Sequence, residues 1–189
     1  MSDSKLKTFI QAATRQFDAP LDPREATARL RPLLAELVAA DDWLDTAFCQ
    51  PHPQYYQQYL LHCDPLERFS VVSFVWGPGQ QTPVHDHTVW GLIGMLRGSE
   101  ISTAYQAGQA GLERGGDTVL TPGTVEVLLP DENDIHLVRN AHEDQVSISI
   151  HVYGANIGRV RRHVYDPQSG APKEFVSGFS SAVMPNVWG

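Results

Sequence analysis

The chain of 189 residues has only two cysteines, Cys49 and Cys63, too few for the disulfide framework that staples small exported domains. Lysine and arginine form no block. Arg159, Arg161 and Arg162 are the single basic cluster, and the formal net charge of -8 argues against a nucleic-acid partner or a polybasic membrane anchor. No uninterrupted apolar run reaches the length of a signal peptide or a membrane span, so no membrane partner is expected and the sequence reads as cytoplasmic. A glycine fingerprint for a dinucleotide is missing, as is any repeat at a solenoid period. The hydrophobic fraction of 42% suffices for one well-buried domain, and the length is short for two.

What is present changes character along the chain. Leu6, Phe9, Ile10, Ala13 and Phe17 recur at helical spacing, and Leu30, Leu33, Leu34, Leu37 and Val38 do so after Pro23. From Phe69 the period shortens. "FSVVSFVW", "TPVHDHTVWGLIGML", "EISTAYQ", "DTVLTPGTVEVLLP", "DIHLVRN", "QVSISIHVYG" and "GRVRRHVYD" read as strands separated by glycine-, proline- or charge-rich turns. The expected architecture is mainly β: one domain, with a helical part over residues 1–66 packed on an antiparallel β-barrel or jelly roll over 67–189.

Within "PVHDHTVWG", strand alternation places His85 and His87 on one face and Asp86 on the other. Two imidazoles on one face suggest a metal, whereas Asp86, turned away, suits a surface or supporting carboxylate. Gly79, five residues, His85-x-His87, three residues, Gly91, six residues and Gly98 resemble the first signature of the cupin superfamily, in which a glutamate usually stands at the place of Gly91. Gly116, five residues, Pro122-Gly123 and later His136, three residues and Asn140 resemble the second, stretched by "TVEVLLPDEND". With no carboxylate at Gly91, the third ligand falls to His136. Three neutral imidazoles leave the charge of a divalent metal uncompensated and favour an anionic ligand, of which a soft thiolate suits iron.

In "SISIHVYG", Ser149, His151 and Tyr153 alternate with Ile148, Ile150 and Val152. An inward polar face would let serine, histidine and tyrosine satisfy one another in series, with the phenol at the end; the alternative is a solvent-facing polar stripe. Three metal histidines together with this Ser-x-His-x-Tyr strand resemble the cysteine dioxygenase family of thiol dioxygenases. The resemblance implies Fe(II) held by His85, His87 and His136, a small thiol and O2 as substrates, and a sulfinate product. It also implies that Tyr153 meets the bound oxygen or substrate, held in place by His151 and Ser149.

Two positions depart from the mammalian-type pattern. No cysteine stands near Gly91 to cross-link Tyr153, and the Tyr-x-Arg that would bind a cysteine carboxylate is here Tyr56-Gln57-Gln58. In "GRVRRHVYD", Arg162 alternates onto the side of Val160 and Val164, where a guanidinium needs a partner. That partner is a structural acid or a substrate carboxylate. Bacterial 3-mercaptopropionate dioxygenases resemble the second arrangement, with Gln58 in place of the first arginine and Arg162 as the anchor. The rival readings are cysteine dioxygenase proper, a zinc- or manganese-dependent cupin isomerase, and a metal-dependent sensor without turnover. Oligomeric state is left open.

Overall fold

The computed structural model describes residues 3–108 and 111–188. Helix α1 (Asp3–Gln16) turns Leu6, Phe9, Ile10 and Ala13 inward, and α2 (Pro23–Val38) does the same with Ala26, Leu30, Leu34, Leu37 and Val38. Asp22 starts α2 by accepting a hydrogen bond from the Glu25 amide at 2.9 Å, while Pro23, which has no amide proton to leave unpaired, stands at the beginning of the helix.

Among the described residues eleven strands follow: β1 (Gln57–Cys63), β2 (Ser70–Trp76), β3 (Val84–His85), β4 (Gly91–Arg97), β5 (Glu100–Ala107), β6 (Leu112–Leu120), β7 (Val125–Leu128), β8 (His136–Asn140), β9 (Ser147–Tyr153), β10 (Arg162–Tyr165) and β11 (Pro172–Phe175). One sheet runs β1-β2-β9-β4-β7 and the other β11-β10-β3-β8-β5-β6. Their ladders are antiparallel. Side chains meet between the two sheets, Glu100 of β5 with Ser149 of β9 for one. This is the expected mainly β jelly roll of cupin type.

Helices cover the outer face of the first sheet. Val71, Val75, Leu92, Leu96, Ile148, Ile150 and Val152 share one apolar cluster with Phe9, Leu30 and Leu34. Strand β9 is therefore buried on both faces, and its polar face looks into the barrel rather than into water. Gly94 of β4 permits the close seat of α2, because a Cβ there would fall 2.9 Å from Leu34 Cγ and 3.0 Å from Val38 Cγ1.

Three boundaries differ from the sequence reading. Strand β1 lies inside residues 1–66, ahead of the barrel boundary expected at 67; only Leu61 of its seven residues is fully buried, and a bulge between Leu60 and His62 breaks its alternation. The expected strand "GRVRRHVYD" begins with a 3₁₀ turn at Ile157–Arg159 and becomes extended at Arg162. The long run "TPVHDHTVWGLIGML" divides into β3 and β4 at a turn where Thr88 has φ of 58°.

Candidate metal centre

Because β3 ends at His85, alternation does not orient His87; Asp134 does. Its carboxylate accepts hydrogen bonds from the His87 amide at 3.0 Å, the Thr88 amide at 2.8 Å and His87 Nδ1 at 2.8 Å. Those bonds hold a β-branched threonine in the left-handed region, which it otherwise avoids. His136 opens β8, directly opposite His85 of β3 in the ladder. The three imidazoles are buried and offer ligand atoms within 4.8 Å of one another.

This donor set fits a divalent transition metal. His85 Nδ1 lies 3.1 Å from the Pro83 carbonyl, His87 Nδ1 is paired with Asp134, and His136 Nδ1 lies 3.2 Å from Ser102 Oγ. A carbonyl or carboxylate only accepts, so His85 and His87 carry their protons on Nδ1 and keep Nε2 as the ligating nitrogen. Burial, followed by the neighbouring histidines, holds His85 and His136 well below the usual imidazole range, so both present lone pairs at neutral pH. Asp134 was not singled out in the sequence, although it stands two residues before His136. Replacing it with asparagine is expected to weaken metal binding about 10- to 100-fold while leaving the fold intact, a change that competition with a chelator reads directly.

Asp86 directs its carboxylate to β10 rather than to the triad, and it is buried. It accepts from the His163 amide at 2.7 Å, His163 Nδ1 at 2.8 Å and the Tyr165 hydroxyl at 2.7 Å. The carboxylate thereby fastens the histidine turn to β10, the strand that carries Arg162. His163 is thus part of this clasp.

A cavity of about 210 Å³ opens beside the triad, lined by His85, Tyr153, Arg162 and Gln58 together with Tyr56, Phe74, Thr82, Pro83, Val164 and Phe175. Gln58 comes from one sheet and Arg162 from the other. Arg162 is 3% exposed. It donates to Ser177 Oγ at 2.7 Å, lies over the Phe175 ring at 4.7 Å and leaves its buried Nε without a partner. Among the described residues it makes no ion pair, whereas Arg159 and Arg161 are solvated and reach Glu67 and Glu174.

Ser149, His151 and Tyr153 form the expected chain: Ser149 Oγ is 2.8 Å from His151 Nε2, and His151 Nδ1 is 2.7 Å from the Tyr153 hydroxyl. Phe74 stacks on the His151 ring at 3.9 Å. Burial keeps the His151 imidazole neutral and raises the Tyr153 phenol, which therefore stays protonated. Gly91 lies opposite Tyr153 in the ladder, and a Cβ there would fall 3.1 Å from the tyrosine ring. The tyrosine thus fills the space beside Gly91, the position that carries a glutamate in the motif this segment resembles. Neither Cys49 nor Cys63 lines the cavity. Trp90, beside Gly91 in sequence, packs on the helix side, stacked on Phe17 at 6.3 Å.

Like Asp134, the buried Glu100 was not singled out in the sequence. Glu100 of β5, fully buried, lies within hydrogen-bond distance of Ser149 Oγ, at 3.0 Å, and of Ser147 Oγ, at 3.3 Å.

The family described as cysteine dioxygenase type I matches residues 40–166, about two thirds of the chain. Among solved structures, an uncharacterized conserved protein with a double-stranded β-helix domain from Klebsiella pneumoniae is similar at 19% identity, over 59% of this chain and 88% of that one, with a TM-score of 0.44. A cupin superfamily protein from Desulfitobacterium hafniense is similar at 13% identity, over 65% and 88% respectively, with a TM-score of 0.44.

Proposed function

The chain belongs to the cysteine dioxygenase type I family, and from that premise we propose that it is a non-haem Fe(II) thiol dioxygenase whose preferred substrate is a small thiol carboxylate, 3-mercaptopropionate ahead of cysteine. The observation that carries the substrate reading is the character of the cavity wall. Arg162 supplies a buried guanidinium with an unpaired Nε, and no acid is among the described residues that line the cavity. A carboxylate finds a charge partner there, whereas the ammonium of cysteine would be desolvated beside a cation with nothing to balance it.

His85, His87 and His136 would hold the iron. Iron supplies a site at which a thiol binds as thiolate and O2 is activated, so that both oxygen atoms end on sulfur and the thiol provides the electrons without a nicotinamide or flavin. Arg162 binds the carboxylate through its fork, and Gln58 offers a neutral polar contact from the facing sheet. Phe74, Val164 and Phe175 give the cavity its apolar lining. Tyr153, steadied by His151 and Ser149, presents its hydroxyl to the substrate or oxygen, and no cysteine stands at position 91 to tie it down.

The deciding experiment is an oxygen-electrode assay of the iron-loaded protein against a panel of small thiols, with the product identified by mass. One O2 consumed per thiol and a product heavier by two oxygen atoms are the expected result. Ligand binding without oxygen uptake would favour a sensor, and activity with zinc or manganese in the absence of oxygen would favour an isomerase.

A further inference from the structure

Glu100 turns a three-residue chain into a four-residue one. The line runs from Glu100 Oε2 to Ser149 Oγ at 3.0 Å, from Ser149 Oγ to His151 Nε2 at 2.8 Å, and from His151 Nδ1 to the Tyr153 hydroxyl at 2.7 Å. Only Tyr153 at its end lines the cavity. Each contact holds one proton, so the direction of the first bond dictates the direction of the rest.

With Oε1 accepting from Ser147, the proton of the neutral acid sits on Oε2 and Glu100 donates to Ser149, Ser149 donates to His151 Nε2, and His151 donates from Nδ1 to the phenol oxygen. The Tyr153 O–H is then free to point into the cavity. As a carboxylate, Glu100 can only accept. Ser149 must turn its proton toward it, His151 must carry its proton on Nε2, and its bare Nδ1 takes the Tyr153 O–H. The cavity then faces phenol lone pairs and no donor. The flanking bonds suit both states: Ser147 donates to Oε1, and Trp76 Nε1–H lies 3.4 Å from Ser149 Oγ.

We propose that Glu100 is a positioning residue that sets the polarity of the Tyr153 chain: neutral, it aims the phenol O–H at the cavity, and ionised, it reverses all three hydrogen bonds and withdraws that donor. The chain's geometry stands without any assigned reaction; only the consequence for turnover rests on the thiol dioxygenase reading.

The surroundings favour the neutral form near pH 7. Burial, against which the two serine hydroxyls work, pushes the Glu100 carboxyl up to about 8. The titratable groups facing it are Glu126 of β7, a second buried acid raised by its own burial, and His151 and Tyr153 along the chain. His151 is held neutral, so the switch moves its proton between nitrogens without charging it. Among the described residues no cation forms an ion pair with Glu100.

The test reads the His151 tautomer by nitrogen-15 NMR in full-length protein carrying zinc as a diamagnetic occupant of the histidine triad, the signal being assigned by its loss in His151→Gln. His151 should carry its proton on Nδ1 at pH 6 and on Nε2 at pH 9.5, with the change centred near the Glu100 ionisation. Glu100→Gln, which cannot ionise, should show one tautomer throughout, and Ser149→Ala should uncouple the tautomer from pH. With iron, kcat should fall roughly tenfold per pH unit on the alkaline side in the wild type and lose that limb in Glu100→Gln. A tautomer that ignores pH in the wild type, or a transition that survives in either variant, overturns the proposal; the wild-type and Ser149→Ala measurements suffice if Glu100→Gln fails to fold. A tautomer switch in a protein that oxidises no thiol overturns the dioxygenase reading and upholds this one. Thiol oxidation with a fixed tautomer does the reverse.

Discussion

Alanine at His136 is expected to strip the protein of bound metal and to reduce oxygen uptake with every thiol to background. The imidazole opens β8 opposite His85, and the three buried rings are the sole described group of three or more candidate metal ligands. Removing one of three protein ligands should cost more than loss of an outer partner such as Asp134, for which about 10- to 100-fold is typical. The backbone of β8 is paired on both sides, by β3 and β5, so the fold should survive the substitution. Metal analysis beside a circular dichroism spectrum separates loss of the centre from loss of the fold. Full metal occupancy with normal turnover in His136→Ala would remove this residue from the site and the three-histidine centre with it.

The second large effect concerns Arg162. Its replacement by alanine should raise KM for 3-mercaptopropionate by about 10- to 100-fold, the weight of one or two charge-assisted hydrogen bonds, while bound iron stays unchanged. If kcat is preserved, the loss is one of ground-state binding. The wild type should also show a higher kcat/KM for 3-mercaptopropionate than for cysteine. Gln58 bears no charge to hold a cysteine carboxylate from its side, and a substrate ammonium would meet the guanidinium with no acid on the lining. Lysine at position 162 should recover only part of the affinity, because it keeps the charge and loses the planar fork. A kcat/KM that favours cysteine, or an Arg162→Ala variant indistinguishable from the wild type, would transfer the assignment to a cysteine dioxygenase with a different anchor.

Local periodicity was enough to read much of this protein. The two helices follow from apolar residues at a period near 3.6, and the polar face of Ser149, His151 and Tyr153 follows from a period of 2, because both patterns are properties of neighbouring residues. The inward placement of Arg162 was legible for the same reason, even though the strand proves shorter than expected. Selection of His136 as the third ligand needed the spacing of the two cupin signatures, since nothing near it in the chain marks it.

Tertiary structure decided the rest. Asp134 reaches His87 across 47 positions of sequence, and Glu100 reaches Ser149 across 49, so neither acid carries a local sign of its partner. Trp90 stands beside Gly91 in sequence yet belongs to the core under the helices, because neighbours in an extended chain project to opposite faces. Whether the polar face of β9 met water or the barrel interior was likewise undetermined by alternation. Alternation separates two faces without saying what covers either. Here the second sheet encloses the Ser149, His151 and Tyr153 side while α1 and α2 cover the Ile148, Ile150 and Val152 side, and that enclosure turns a polar stripe into a hydrogen-bonded chain ending at a cavity.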